Sequence, residues 1–112
     1  MKYLIPTLRE KKRYIVFKTI KEGTLSFSDL KKAIIESFKE LFGVIGLSNA
    51  GIDFIEYKNS TGILRVNNRY VDHARASFCT LRKINKQEII LETIGISGIL
   101  KKAKNKFTIG GE

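Results

Sequence analysis

Several things this chain lacks narrow its classes quickly. It has one cysteine, Cys79, in 112 residues, so no intramolecular disulfide holds the fold and no oxidising compartment is required. It has one histidine, His73, and no C-x-x-C, H-E-x-x-H or P-loop pattern, which removes the common motifs for metal and nucleotide chemistry. No stretch approaches the roughly 18 apolar residues of a membrane span. The apolar run in MKYLIPTLREKK is too short for a secretory signal, so a cytoplasmic protein with no membrane contact is expected. Internal repeats, low-complexity stretches and Pro/Gly-rich linkers are missing as well. One domain over residues 1–112 is the expectation.

Acid is the other shortage. Eleven Asp and Glu face 21 Lys and Arg, a net charge of +10. Residues 1–24 carry seven bases and two acids, and residues 97–112 carry four bases and one acid. Residues 25–50, with three of each, are neutral. An excess gathered at the chain ends points to a polyanionic partner, the competing account being lysines that only solvate a surface. Apolar content of 43% is enough for a folded globule.

What is present reads as alternating strands and helices. RYIVFKTI (Arg13–Ile20) is β-branched and aromatic, a strand followed by the turn KEGT. SFSDLKKAIIESFKELFG is a helix: Ser26 and Asp29 have capping-box spacing, and Gly43 is a natural stop. Leu30, Ala33, Ile34, Phe38, Leu41 and Phe42 recur at helical spacing as one buried stripe. GIDFIEYK and GILRVN are strands joined by NSTG, a hairpin connection. RYVDHARASFCTLRKI is a second helix with Val71, Ala74, Phe78 and Leu81 inward, and QEIILETIGI is a last strand. The order β-α-β-β-α-β predicts an α/β (α+β) sandwich of the ferredoxin-like, RNA-recognition-domain-like kind, with a four-stranded antiparallel sheet.

Two features depart from the usual RNA-recognition module. The third strand, GILRVN, has no aromatic on which a base could stack. The first strand is apolar on both faces, with Ile15 and Phe17 on one and Tyr14, Val16 and Ile20 on the other. Two helices cover only one face of a sheet, so the second needs its own cover. SGILKKAKNKF (Ser97–Phe107) can supply it as an extra C-terminal helix. Ile99, Leu100, Ala103 and Phe107 fall within an arc of about 100° while Lys101, Lys102, Lys104 and Lys106 fan around the rest. Lysines pinned in this way form a fixed array rather than a loose tail.

A catalytic constellation is not legible. Asp72 points about 100° away from His73 on the same helix, so the two cannot form a base and its orienter, and His73 reads as a surface residue. Cys79, six residues on, lacks a partner histidine on its face and reads as a small helix side chain. Catalytic residues and metal ligands are therefore not assigned. Polyanion contacts have better candidates. Ser97 and Gly98 open the last helix, where free N–H groups and the helix dipole favour phosphate; a plain cap and turn would read the same. Lys11, Lys12 and Arg13 precede the first strand. Arg65 lies within an apolar strand, where a planar fork suits phosphate or a base edge, and Arg69 and Arg75 lie at and in the second helix.

KKRYIVF, FGVIGLSNAGIDFIEYKNSTGILRV, RYVDHARASF and ISGILKKAKNKF, in this order over residues 11–107, resemble the archaeal ribonuclease P protein component 2 family, counterpart of the eukaryotic Pop-five subunit. The resemblance rests on G-x-x-G-x-x-x-A before a strand, Tyr57 with Thr61-Gly62 in the hairpin, Arg65, and a final Ser-Gly-x-x-Lys. This chain has Ile99 where the family has Thr, which removes a hydroxyl from that position. The resemblance implies a subunit of the ribonucleoprotein endonuclease that removes the 5′ leader of precursor tRNA. The RNA is then the catalyst and holds the magnesium, and the protein carries no cofactor. It also implies pairing with a TIM-barrel-like protein, component 3, and assembly as a homodimer or heterotetramer, with precursor tRNA met indirectly.

The neutral first helix is the expected docking side for the protein partner or a second copy of this chain, through Phe27, Ile35, Lys39, Glu40, Val44 and Ile45, the competing account being that its apolar residues are internal core. Two other function classes stand beside the leading one. A basic ferredoxin-like protein of ribosomal type would bind RNA without stimulating cleavage. A stand-alone enzyme or small-ligand regulatory domain on the same fold would show no salt-sensitive RNA binding.

Overall fold

A computed structural model of the chain describes residues 11–21, 23 and 25–104. Strand β1 (Lys12–Lys21) leads to helix α1 (Phe27–Ala50), the hairpin of β2 (Asp53–Lys58) and β3 (Thr61–Asn67), and helix α2 (Val71–Thr80). A second hairpin follows, β4 (Lys83–Ile84) and β5 (Gln87–Ser97). The sheet has five strands in the order β2-β3-β1-β5-β4, and every pairing is antiparallel. Four strands were expected. The fifth is the two-residue β4, which the sequence pattern had assigned to the end of the second helix.

The local chemistry accounts for most boundaries. Ser26 caps α1, its Oγ accepting from the Asp29 N–H at 3.1 Å. At Gly43 the backbone leaves helical space, with φ 76° and ψ 177°, so the expected stop is real but brief. The helix resumes and runs to Ala50, where Gly51 ends it at φ 57°. Both hairpins close on two residues with positive φ, Asn59 and Ser60 in the first, Asn85 and Lys86 in the second. Positive φ at both central positions is the I′ form that matches the twist of the flanking strands. The second helix is shorter than expected, ten residues after a 3₁₀ turn at Asn68–Tyr70.

Both helices lie on one face of the sheet. Ile15 and Phe17 of β1 are buried there with Leu30, Ile34 and Phe38 of α1 and Ala74 and Phe78 of α2. Phe17 and Phe78 meet at 5.4 Å between ring centroids. Gly62 is required beside them, because a Cβ at that position would stand 2.6 Å from the Phe17 ring. The expected stripe of α1 needs one correction: Leu41 is 44% exposed, turned away where the helix approaches its break. His73 also differs from expectation. It is half-buried, its ring 4.7 Å from that of Phe42 and 4.8 Å from that of Tyr70.

On the opposite face a smaller cluster forms from Val16, Ile63 and Ala103, flanked by Tyr14, Ile55 and Leu100. The second face of β1 is thus covered over its first half, and residues 100–104 are helical, as the sequence required. Leu100 and Ala103 face the sheet as expected, but Ile99 is 54% exposed. Phe107, the expected last anchor, lies outside the described residues.

Candidate nucleic-acid interface

The antiparallel pairings bring three chain segments to one end of the sheet. Lys12 lies opposite Asn67, and Tyr14 lies opposite both Arg65 and Ser97. The start of β1, the end of β3 and the end of β5 therefore meet. The condition set by the sequence, that the fold bring the two chain ends together, is met between Arg13 and Gly98. A Cβ on Gly98 would sit 3.0 Å from the Arg13 guanidinium.

Several of these groups are held by the protein itself. Lys12 Nζ donates to Asn67 Oδ1 at 2.6 Å, and Arg13 Nε donates to Asn68 Oδ1 at 3.0 Å. The Asn68 N–H donates to the Lys11 carbonyl at 2.7 Å, and Asn67 Nδ2 donates to the Asn49 carbonyl. The two asparagines thus fix the approach of the basic segment to β1. Lys101, Lys102 and Lys104 are exposed on the helical turn whose Ala103 is fully buried. Ser97 Oγ accepts from the Ile99 N–H at 3.1 Å, and the Ile99 carbonyl accepts from the Ala103 N–H. The helix consequently begins two residues later than expected, and Ser97 and Gly98 form the turn before it.

Not all of the sequence candidates belong to this surface. Arg65 makes a cross-strand ion pair with Asp53. That hydrogen bond, and a second to Tyr14, raise its already high pKa, so its charge is permanent and faces the Asp53 carboxylate at the sheet surface. Arg69 is exposed on the 3₁₀ turn directly after Asn68, close in sequence to the basic end. Arg75 is exposed on α2 and lies 3.9 Å from Asp72, one helical turn earlier. Lys106 lies outside the described residues. Among the described residues no three His, Cys, Asp or Glu side chains come together, and no helix is long and apolar enough to cross a membrane.

The expected docking side is divided. Phe27 is not spare surface: its ring stacks on Tyr57 at 5.8 Å, meets Phe54 edge-on at 6.2 Å, and lies under Lys31. Ile35 is half-buried and lines a groove of about 360 Å³ with Lys31, Lys32, Ile52 and Phe54. Lys39 and Glu40 are exposed. Val44 and Ile45, at 65% and 77% exposure, are the most exposed large apolar side chains among the described residues. Leu41, 44% exposed, precedes the break at Gly43 that they follow. The sequence stripe places Leu41 inside, but it lies in the last turn before Gly43, where the chain leaves helical space.

Comparisons with known proteins show the family and the fold. The family model described as the Rpp14/Pop5 family matches residues 13–108. Ribonuclease P protein component 2 of Thermococcus kodakarensis is 40% identical over 108 residues, covering 95% of this chain and 90% of that protein. The component 2 protein of Methanosarcina mazei is 37% identical over 107 residues, covering 96% and 92%. A chain in the cryo-EM structure of yeast ribonuclease MRP superposes with a TM-score of 0.68, covering 91% of this chain and 95% of that one. At 12% identity that likeness concerns the fold. With a family match over nearly its whole length and relatives well above 30% identity, this chain belongs to the Rpp14/Pop5 family.

Proposed function

We infer that the chain is an RNA-binding protein subunit of ribonuclease P, supporting the RNA subunit in removing the 5′ leader of precursor tRNA. The observation that supports this reading is the approach of Arg13 to Gly98, which brings the basic start of β1 to the turn before the exposed Lys101, Lys102 and Lys104, in a member of a family whose relatives are named ribonuclease P components. Such a surface contacts phosphates and positions RNA without reading its sequence. The chemistry then belongs to the RNA, which also holds the magnesium, and the polypeptide supplies neither catalytic residue nor metal ligand.

The exposed apolar side chains Leu41, Val44 and Ile45, with Lys39 and Glu40, are the surface for a protein partner, component 3 in this reading. The assembly acts in the cytoplasm, as a pair or a doubled heterotetramer. In fold terms the reading is a ferredoxin-like sandwich with one added edge strand.

Reconstitution tests the function directly. With the RNA subunit and component 3 present, adding this protein should raise precursor-tRNA cleavage. RNA binding without stimulation would favour a ribosomal-type RNA-binding protein, and absence of salt-sensitive RNA binding would remove both readings.

A further inference from the structure

The end of the sheet opposite the basic cluster carries a charge pattern that the RNA-binding reading does not use. Here the C-terminal half of β1 meets the β4–β5 hairpin. Ile20 and Ile90 are cross-strand partners, 47% and 56% exposed, on the sheet face that residues 100–104 leave open. They floor a groove of about 330 Å³ whose other walls are Lys21, Arg82, Lys83, Glu88 and Ile89. Three cations thus stand around an apolar floor against one carboxylate. Lys86 extends the cationic edge from the adjoining turn.

Arg82 is positioned rather than loose, and Lys21 Nζ donates to Ser60 Oγ of the first hairpin at 3.2 Å. Arg82 Nε donates to the Cys79 carbonyl at 3.3 Å, which anchors the stem at the end of α2 and turns the rest of the guanidinium outward. The Ile89 N–H donates to the Arg82 carbonyl at 2.9 Å. Asn85 Nδ2 donates to Asp29 Oδ2 at 3.0 Å, tying the turn to the start of α1. Lys86 has φ 70°, where glycine is the least strained residue, yet the chain carries a lysine there.

Resting on the RNA-binding reading above, we propose that this hairpin groove is a second RNA-contact surface, in which Lys21, Arg82, Lys83 and Lys86 hold backbone phosphates while Ile20 and Ile90 lie against ribose or base. The occupant follows from charge complementarity: a cationic rim repels a basic protein segment, and an apolar floor beside cations suits a single-stranded or bulged stretch of RNA. The ten residues of β1 separate the two basic ends by about 30 Å at roughly 3.3 Å per residue. That distance exceeds the Debye length of roughly 8–10 Å near physiological salt, so the two ends neutralise phosphates independently. Independence gives a specific expectation, additivity of the salt slopes.

The test uses the full chain and the ribonuclease P RNA, with log K measured against log salt. Two variants are compared singly and together, Arg82→Gln/Lys83→Gln/Lys86→Gln at the hairpin and Lys101→Gln/Lys102→Gln at the other end. The hairpin variant should lower the slope by about 0.7 per lost single-stranded contact, roughly 2 in all, and the combined variant should lose the sum. An unchanged slope in the hairpin variant, with a reduced slope in the other, overturns this inference and leaves the RNA-binding reading standing. A hairpin variant that loses a protein partner while keeping its RNA slope overturns it as well. Lys83→Glu/Lys86→Glu, read the same way, guards against an uninformative Arg82 change at the end of α2.

Discussion

The two faces of β1 are built from alternate residues of one strand and do different work. On one face Ile15 and Phe17 enter a core supplied by both long helices and the last strand. On the other, Val16 meets only Ile63, Ala103 and their half-buried neighbours. The first face holds the domain together. Among the described residues the second has less apolar material, enough to seat one short helix. A strand with two apolar faces is therefore not a sign of a larger core. In the function proposed above, it marks the place where the lysine-bearing helix is attached.

This division can be broken from either side. The largest effect is expected on the helix-covered face: Phe17→Ala removes a fully buried ring packed on Phe78, and chemical denaturation should show a loss of about 3–5 kcal/mol. On the other face, Ile63→Ala should sit near the lower end of the large-to-small range, about 2 kcal/mol, because a thin cover can settle onto the gap. A loss equal to that of Phe17→Ala would mean that the second cluster is part of the main core. The exposed apolar side chains of α1 give a smaller stability effect. Leu41→Ser/Val44→Ser/Ile45→Ser should change stability by about 0.5 kcal/mol or less per site while weakening component 3 binding at least about tenfold, measured by titration.

The smallest effect concerns Arg65. Its pair with Asp53 is partly exposed, so solvent screens it, and Asp53→Asn should cost no more than about 1 kcal/mol. The raised pKa of Arg65 gives stability that is fully present below its unfolded value and is lost only in strong alkali. Denaturation midpoints across neutral pH should therefore show no step that Arg65→Gln removes.

Much of the fold was legible because its signals are local. The Ser26 cap, the alternation along β1 and the turn at Asn59-Ser60 each follow from a few neighbouring residues. The misreadings share a cause as well. Gly43 was taken as an end when it is a turn within a longer element, since nothing in the sequence shows that residues 44–50 are helical again. The β4–β5 hairpin was hidden because Asn85-Lys86 lacks the glycine that normally announces a two-residue turn. Ile99 turns outward although it shares an arc with Leu100, because it lies in the turn before the helix, its N–H held by the Ser97 hydroxyl. For the site, charge and order along the chain placed the two basic ends. Only the pairing of β1 with both β3 and β5 shows that they meet, and only the cross-strand Asp53 shows that Arg65 is occupied.

The central claim is that the lysines of residues 100–104 act as a fixed array because their helix is seated on the sheet. Ala103→Gln tests it without removing or adding a charge. Ala103 is fully buried against Val16 and Ile63, so a longer polar side chain should unseat the helix and leave the main core intact. Affinity for the ribonuclease P RNA at fixed salt, measured beside the far-UV spectrum and the unfolding midpoint, is the deciding quantity. The expected result is a folded protein whose affinity falls about tenfold or more although every lysine remains. Unchanged affinity with the helix unseated would contradict the claim, and would mean that the lysines work as a loose tail.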